Sequence, residues 1–195
     1  MTPTITALRE RKRGRVAVEL DGRQWRVLPA DVVVRAGLGV GRSLDRHTAR
    51  QLAREIRRAR ALSQATRTLA TSARSRAELE QRLARAGHVG AAREDALESL
   101  GRAGLVDDVR LAEDRAEVLA RRGYGDAAIR ADLRRRQIRA EAAADAIAAL
   151  EPELTRVGRL VAGKDVTPSL LRRLAGRGFS RETLGEIGSA FAQEA

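Results

Sequence analysis

The feature that most constrains this chain is a spacing that occurs three times. Leu69, Leu79, Leu83, Gly87 and Leu100 are separated by 10, 4, 4 and 13 residues; so are Leu119, Ile129, Leu133, Gln137 and Leu150, and again Leu160, Leu170, Leu174, Gly178 and Phe191. The first two sets are offset by 50 residues and the last two by 41, so the joint shortens while the interior keeps its register. Apolar residues four apart, closed four residues later by glycine in two sets, describe a short helix and its C-cap. A period of this size describes a helical repeat whose copies bury their apolar faces on one another.

Helix boundaries are legible inside each set. Ser75 followed by Glu78 is a capping box ahead of Leu79 and Leu83. Thr167 then Pro168 is a cap followed by proline at the first helical position, and Gly125 with Asp126 opens the corresponding helix of the middle set. Around these central helices, Ala59 to Ala73, Asp107 to Arg122 and Glu153 to Gly163 read as preceding helices; Ala91 to Ala103, Ala140 to Leu150 and Arg181 to Ala192 read as following ones. The expected fold is mainly α: three tandem three-helix repeats forming an elongated curved array, with a small N-terminal β-meander. The expected segments are a cap over 1–42, a basic linker helix over 43–58, and repeats over 59–104, 105–150 and 151–195.

The strings RSRAELEQRLARAG, GLVDDVRLAEDRAEVLARRGYGDAAIRADLRRRQI and LLRRLAGRGFSRETL resemble, in that order, the three tandem modules of the RecX regulatory family. The most specific stretch is the middle one: Gly104, Leu105, Asp107 and Asp108 before a helix containing Ala112, then Arg122, Gly123, Gly125, Ile129 and Leu133. The resemblance runs from about Ala59 to the C-terminus. One departure is Gln137, where the family tends to place glycine, so this helix is expected to end without a left-handed cap. The resemblance implies a partner, the RecA recombinase filament on single-stranded DNA. It implies a role too: restraint of that filament's recombinase, ATPase and co-protease activities in DNA repair and the SOS response.

Composition bounds the rest. Aromatics make up 2% of the 195 residues, so the core must come from Leu, Val, Ile and Ala. The absence of cysteine removes disulfide and thiolate chemistry and fits a reducing compartment. The N-terminus MTPTITALRERKRG has no apolar core of a signal peptide, and no apolar run reaches membrane-spanning length, so a cytoplasmic monomer is expected. Net charge is +12, almost all of it from arginine, and it is uneven. Residues 1 to 62 carry fifteen basic and six acidic side chains, whereas residues 63 to 195 carry 23 and 20. A polyanion would be steered to the N-terminal part.

There, Val16, Val18 and Leu20 alternate with polar or small residues, and Asp21-Gly22 is a strong hairpin signal. Pairing Leu20 with Arg23 would set Val18 opposite Trp25 and Val16 opposite Val27, and Ile5 to Glu10 would add a third strand through Arg13-Gly14. This meander suits either a docking module or a cap over the first helices. A short helix from Asp31 to Ala36 should stop at Gly37. From Asp45 onward, Arg46, Arg50, Arg54, Arg57 and Arg58 make a basic stripe, with Leu44, Leu52, Ile56 and Ala59 on the opposite face. Like charges four apart cost about 0.2–0.5 kcal/mol per pair, and one acid, Glu55, lies among them. A phosphate backbone would offset that repulsion. Further basic clusters at central-helix ends are Arg82 and Arg85; Arg134, Arg135 and Arg136; and Arg172, Arg173 and Arg177. These either complement helix dipoles or form a second surface for DNA, single- or double-stranded, or for the filament.

Chemistry is not indicated. The two histidines, His47 and His88, are far apart in sequence, and no phosphate loop or nucleophile elbow occurs. Asp107 and Asp108 read as helix caps; without His or Cys nearby they do not argue for a metal. No enzyme, cofactor or metal is expected. Beside the filament regulator stand a sequence-nonspecific architectural DNA-binding protein and a transcription regulator reading bases through one three-helix unit.

Overall fold

A computed structural model describes residues 2–193, with side chains to residue 190. The chain forms two compact units, Met1–Ala70 with Glu80–Ala103, and Thr71–Leu79 with Gly104–Ala195. The described residues are mainly helical, with ten helices and one three-stranded sheet.

The first unit begins with strands β1 (Ile5–Arg11), β2 (Arg15–Leu20) and β3 (Arg23–Pro29), antiparallel in the order β1-β2-β3. Both turns use paired left-handed residues, Arg13-Gly14 and Asp21-Gly22, which matches the twist of the flanking strands. Leu20 pairs Arg23 as expected, but a bulge then shifts the register, so Val18 pairs Arg26 and Val16 pairs Leu28. The simple alternation missed this. Trp25 is the extra residue, turned out of the ladder instead of facing Val18.

Helix α1 (Ala30–Arg35) follows Pro29 and stops at Gly37. Helix α2 (Arg46–Leu69) then runs 24 residues without a break. The expected basic helix and the helix after it are therefore one, since no glycine or proline interrupts the segment. α2 packs on α1 and the sheet through Ile5, Val18, Leu28, Val32 and Leu52, all buried. Its second half meets α4 (Gly90–Arg102) along Ala61, Ala92 and Ala96, a small-residue seam that lets the two backbones approach closely. Between them in sequence lies α3 (Arg76–Arg85), which crosses the division between the units.

The second unit contains α5 (Asp108–Arg121), α6 (Asp126–Arg135), α7 (Ala140–Ala148), α8 (Glu153–Val161), α9 (Pro168–Gly176) and α10 (Arg181–Gln193). One core gathers Ala112, Ala116, Ile129, Leu133 and Ile147, and another Val157, Val161, Leu170, Leu174 and Phe179. The paired marks Leu79 and Leu83, Ile129 and Leu133, and Leu170 and Leu174 are all buried. The side chain of Phe191 lies outside the described residues.

Gln137 corrects one expectation. Its φ is 58°, and Gln137 N–H donates to the Arg134 carbonyl at 2.9 Å while Ile138 N–H donates to Leu133 at 3.1 Å. That is the two-bond left-handed cap, identical in pattern to those at Gly87 and Gly178. Gln137 adopts it at a cost of about 1–2 kcal/mol relative to glycine.

Helix starts are joined to neighbouring helix ends. Ser75, fully buried, donates its hydroxyl to the Arg136 carbonyl at 2.5 Å and accepts Glu78 N–H at 3.1 Å, while Glu78 accepts Ser75 N–H at 3.0 Å. At the start of α6, Gly125 N–H donates to the Arg177 carbonyl at 3.0 Å and Ala127 N–H to Gly178 at 3.1 Å. A Cβ on Gly125 would land inside the Gly178 carbonyl and the Phe179 nitrogen. Gly125→Ala should therefore cost about 1–3 kcal/mol or more through forced backbone displacement. Gly185→Ala, in α10 with open space around it, should gain about 0.5–1 kcal/mol. Denaturant unfolding followed by helical circular dichroism compares them; equal effects would refute the close approach.

Candidate nucleic-acid interface

The basic stripe lies on the exposed face of α2. Arg46, Arg50, Arg54 and Arg57 are all exposed, and His47, Arg50, Gln51, Arg54 and Arg57 line a shallow depression of about 530 Å³. The helix starts at Asp45, whose carboxylate accepts Thr48 N–H at 2.7 Å; those hydrogen bonds hold Asp45 below the usual carboxylate range. Glu55 turns to the half-buried side of the helix, 3.8 Å from Arg54 and 3.6 Å from Arg58. Arg58 also donates to Ser99 Oγ on α4 at 2.9 Å. Arg58 is therefore a tie between α2 and α4, and the exposed row consists of the other four.

The remaining clusters divide in the same way. Arg135 and Arg136 are drawn to Asp132, at 2.8 and 3.4 Å, and Arg136 reaches Glu78 at 3.5 Å. Arg177 sits 5.9 Å from the centre of the Tyr124 ring and 3.5 Å from the carbonyls of Arg122 and Gly123, closing over the end of α5. Arg82, Arg85, Arg134, Arg172 and Arg173 stay exposed and have no carboxylate partner among the described residues. Arg82 and Arg85 belong to the first unit, Arg134, Arg172 and Arg173 to the second.

Both adjacent aspartates are caps. Asp107 accepts the N–H groups of Val109 and Arg110, and Asp108 accepts Arg76 N–H at 2.8 Å, capping α3 rather than its own helix. No group of three potential metal-ligating side chains occurs among the described residues, and no helix is long and apolar enough to cross a membrane.

Several structural residues escaped the sequence reading. Glu153, the first residue of α8, accepts Asp126 N–H at 2.8 Å, Ser180 N–H at 3.1 Å and the Thr183 hydroxyl at 3.0 Å. Burial alone would raise its pKa; these donors outweigh it and leave it lowered. Buried Arg156 donates to the carbonyls of Glu151 and Tyr124 and pairs with Asp126. The simple alternation sets Trp25, the chain's one tryptophan, opposite Val18 and gives it no part in binding; the bulge instead leaves it unpaired on β3.

A curated relative, the regulatory protein RecX of Mycobacterium leprae (strain Br4923), is 32% identical over 139 residues, covering 62% of this chain and 79% of that one. The chain belongs to the RecX family. No protein-family model matches it. The family's fold is shared: a crystal structure of a regulatory protein RecX superposes with a TM-score of 0.82 at 21% identity, over 96% of this chain and 99% of that one. The crystal structure of RecX from Lactobacillus salivarius gives 0.61 at 16% identity, over 70% and 97%.

Asp132 is the electrostatic centre of the second unit. Its nearly buried carboxylate takes two bonds from Arg115 on α5, at 2.7 and 3.3 Å, and it lies beside Arg135 and Arg136. The Arg115 hydrogen bonds, against the opposing effect of burial, bring its pKa to about 2. An unfolded aspartate titrates near 3.9, so this stabilisation, about 2 kcal/mol, is full above pH ~4 and disappears as pH falls through about 2. Asp132→Asn should remove about 2 kcal/mol at neutral pH and flatten the acid limb of a stability–pH curve between pH ~4 and ~2. Some slope should persist, since Asp45 and Glu153 are lowered too. An unchanged acid limb would mean Asp132 is not the group being titrated.

Proposed function

We propose that this protein restrains a RecA-type recombinase by binding the RecA filament on single-stranded DNA and lowering its strand exchange, ATP turnover and co-protease activity. Membership of the RecX family carries the reading. The exposed α2 row supports its DNA-facing part: four guanidinium groups along one helix edge, in the part of the chain where positive charge is concentrated. Arg82, Arg85, Arg134, Arg172 and Arg173 are proposed as secondary contacts for DNA or filament. Arg58, Arg136 and Arg177 are assigned mainly to holding helices together, while exposed Arg135 pairs with Asp132 within its own helix. The protein acts as a cytoplasmic monomer without catalytic activity or cofactor.

The helices are read as three copies of one three-helix unit over 59–104, 105–150 and 151–195. Two recurrences support this. The first residue of α5, Asp108, caps the first residue of α3, Arg76, as Glu153 at the start of α8 caps Asp126 at the start of α6. The carbonyls of Arg136 and Arg177, each at a helix C-cap, receive Ser75 and Gly125. Such units bury their faces in series and suit an extended partner.

RecA-catalysed ATP hydrolysis on single-stranded DNA should fall when this protein is added below the RecA concentration. Unchanged turnover at stoichiometric excess would remove the filament reading; intact DNA binding in that case would leave an architectural DNA-binding protein. Replacing Arg46, Arg50, Arg54 and Arg57 together by alanine should weaken DNA binding about equally for all sequences. The log–log salt slope on single strands should drop by about 0.7 per lost contact. An unaltered slope would move the DNA surface to Arg134, Arg172 and Arg173.

A further inference from the structure

Beside the α2 row lies a feature that phosphate contacts do not use. The β-bulge leaves Trp25 without a partner on β2, at the free edge of the sheet, and the residue is 38% exposed in a fold that buries most large apolar groups. The indole forms one wall of a pocket of about 330 Å³, whose floor is Leu44, Leu52 and Ile56 and whose rim is Arg26, Arg57 and Arg60. The Arg26 guanidinium lies 5.3 Å from the centre of the indole ring. No carboxylate lines this pocket, and Arg57 and Arg60 have no acidic partner among the described residues.

We propose that this pocket takes one nucleobase of a single-stranded nucleic acid, stacked on Trp25, with the flanking phosphates on Arg57 and Arg60. The proposal rests on the DNA-binding reading above and gives it a strand preference. Aromatic faces that accept a base beside a cationic track are how single strands are held without sequence choice. Bases inside a duplex are already stacked on each other and cannot enter. Arg57 belongs both to this rim and to the depression along the α2 row, so a backbone following the row passes the pocket mouth. The volume falls at the low end of small-ligand pockets, enough for a base and too small for a folded partner. A larger cleft of about 510 Å³, between the sheet and α2 and lined by Val27, Leu28, Val32 and Ile56, has no Trp, Tyr or Phe; its one aromatic ring, His88, is hydrogen-bonded to Gln64 at 2.8 Å.

Because Trp25 is the single tryptophan, its emission reports the pocket directly. Titrating the full protein with a thymidine oligomer of about 15 nucleotides should quench that emission to saturation, and a duplex of equal length should not. Trp25→Leu, which keeps an apolar cover over Leu52 and Ile56, should leave the thermal midpoint near wild type. It should weaken oligomer binding about tenfold, read by anisotropy of a labelled strand, with duplex binding unchanged; Trp25→Phe should restore most of the loss. If Trp25→Leu fails to fold, the wild-type titration still decides: unquenched emission at saturating oligomer overturns the proposal. Loss of binding in the four-arginine variant with full binding by Trp25→Leu overturns the pocket and leaves the DNA reading standing. Absence of DNA binding by wild type at low salt overturns both.

Discussion

Helix ends, as well as helix faces, hold the second unit together. Its helices are short, and in α5 and α7 alanines (Ala112, Ala116, Ala142, Ala143 and Ala146) pack beside the larger Leu119, Ile129, Leu133 and Ile147. Beyond burying these cores, such short helices must satisfy their ends, because each terminus leaves four backbone groups unpaired. Glu153 answers this by receiving the starts of α6 and α10 on one carboxylate, and Arg156 by gathering the Glu151 and Tyr124 carbonyls. A buried end group left unmatched costs about 1–3 kcal/mol, so these joints decide whether successive helices dock at all. The same need explains why Gly125 has no side chain: the α6 start must come close enough to the α9 cap to donate to Arg177.

Arginine serves two ends in this chain, and neighbouring acids sort them. Where a carboxylate or carbonyl of another element lies within reach, as Asp132 does for Arg115 or Asp126 for Arg156, the guanidinium fork becomes a structural tie. Where none does, it stays in solvent. Cluster membership in the sequence does not separate the two classes, since Arg134 is free while Arg135 and Arg136, its immediate neighbours, are drawn to Asp132. Partners 17 residues away for Arg115 and 30 for Arg156 explain why those ties had no local trace.

What was legible followed from local chemistry. The capping box at Ser75 and Glu78, the Thr167-Pro168 start, the hairpin at Asp21-Gly22 and the helix stop at Gly37 each depend on a few adjacent residues, and all occur. The bulge at Trp25 did not, because strand register depends on which apolar groups the helices beneath the sheet accept, and Leu28 rather than Val27 fills that place. Gln137 shows the limit of reading glycine as the sign of a left-handed cap: the bonds from Gln137 and Ile138 keep the geometry with another residue there. Of the proposed interface, the four-arginine row was visible from its spacing, whereas the Trp25 pocket needed the bulge.

That row sits where helix stability alone would not put it. Arg46 occupies the first turn, which holds no acid, so its charge opposes the positive end of the helix dipole. Arg46, Arg50, Arg54 and Arg57 then repel one another at about 0.2–0.5 kcal/mol for each adjacent pair. Glu55, shared between Arg54 at 3.8 Å and Arg58 at 3.6 Å, relieves this at one position only, and the helix is held by the Asp45 cap, by Leu52 in the core under the sheet and by Ala61 against α4. A segment that is locally unfavourable and held by packing elsewhere is consistent with the proposed role of this row as a phosphate-binding surface. Under the proposed reading, phosphates bound along the row would offset these penalties. Binding strength drawn from that relief depends on salt and not on base order, which is what a protein following an extended strand of any sequence requires.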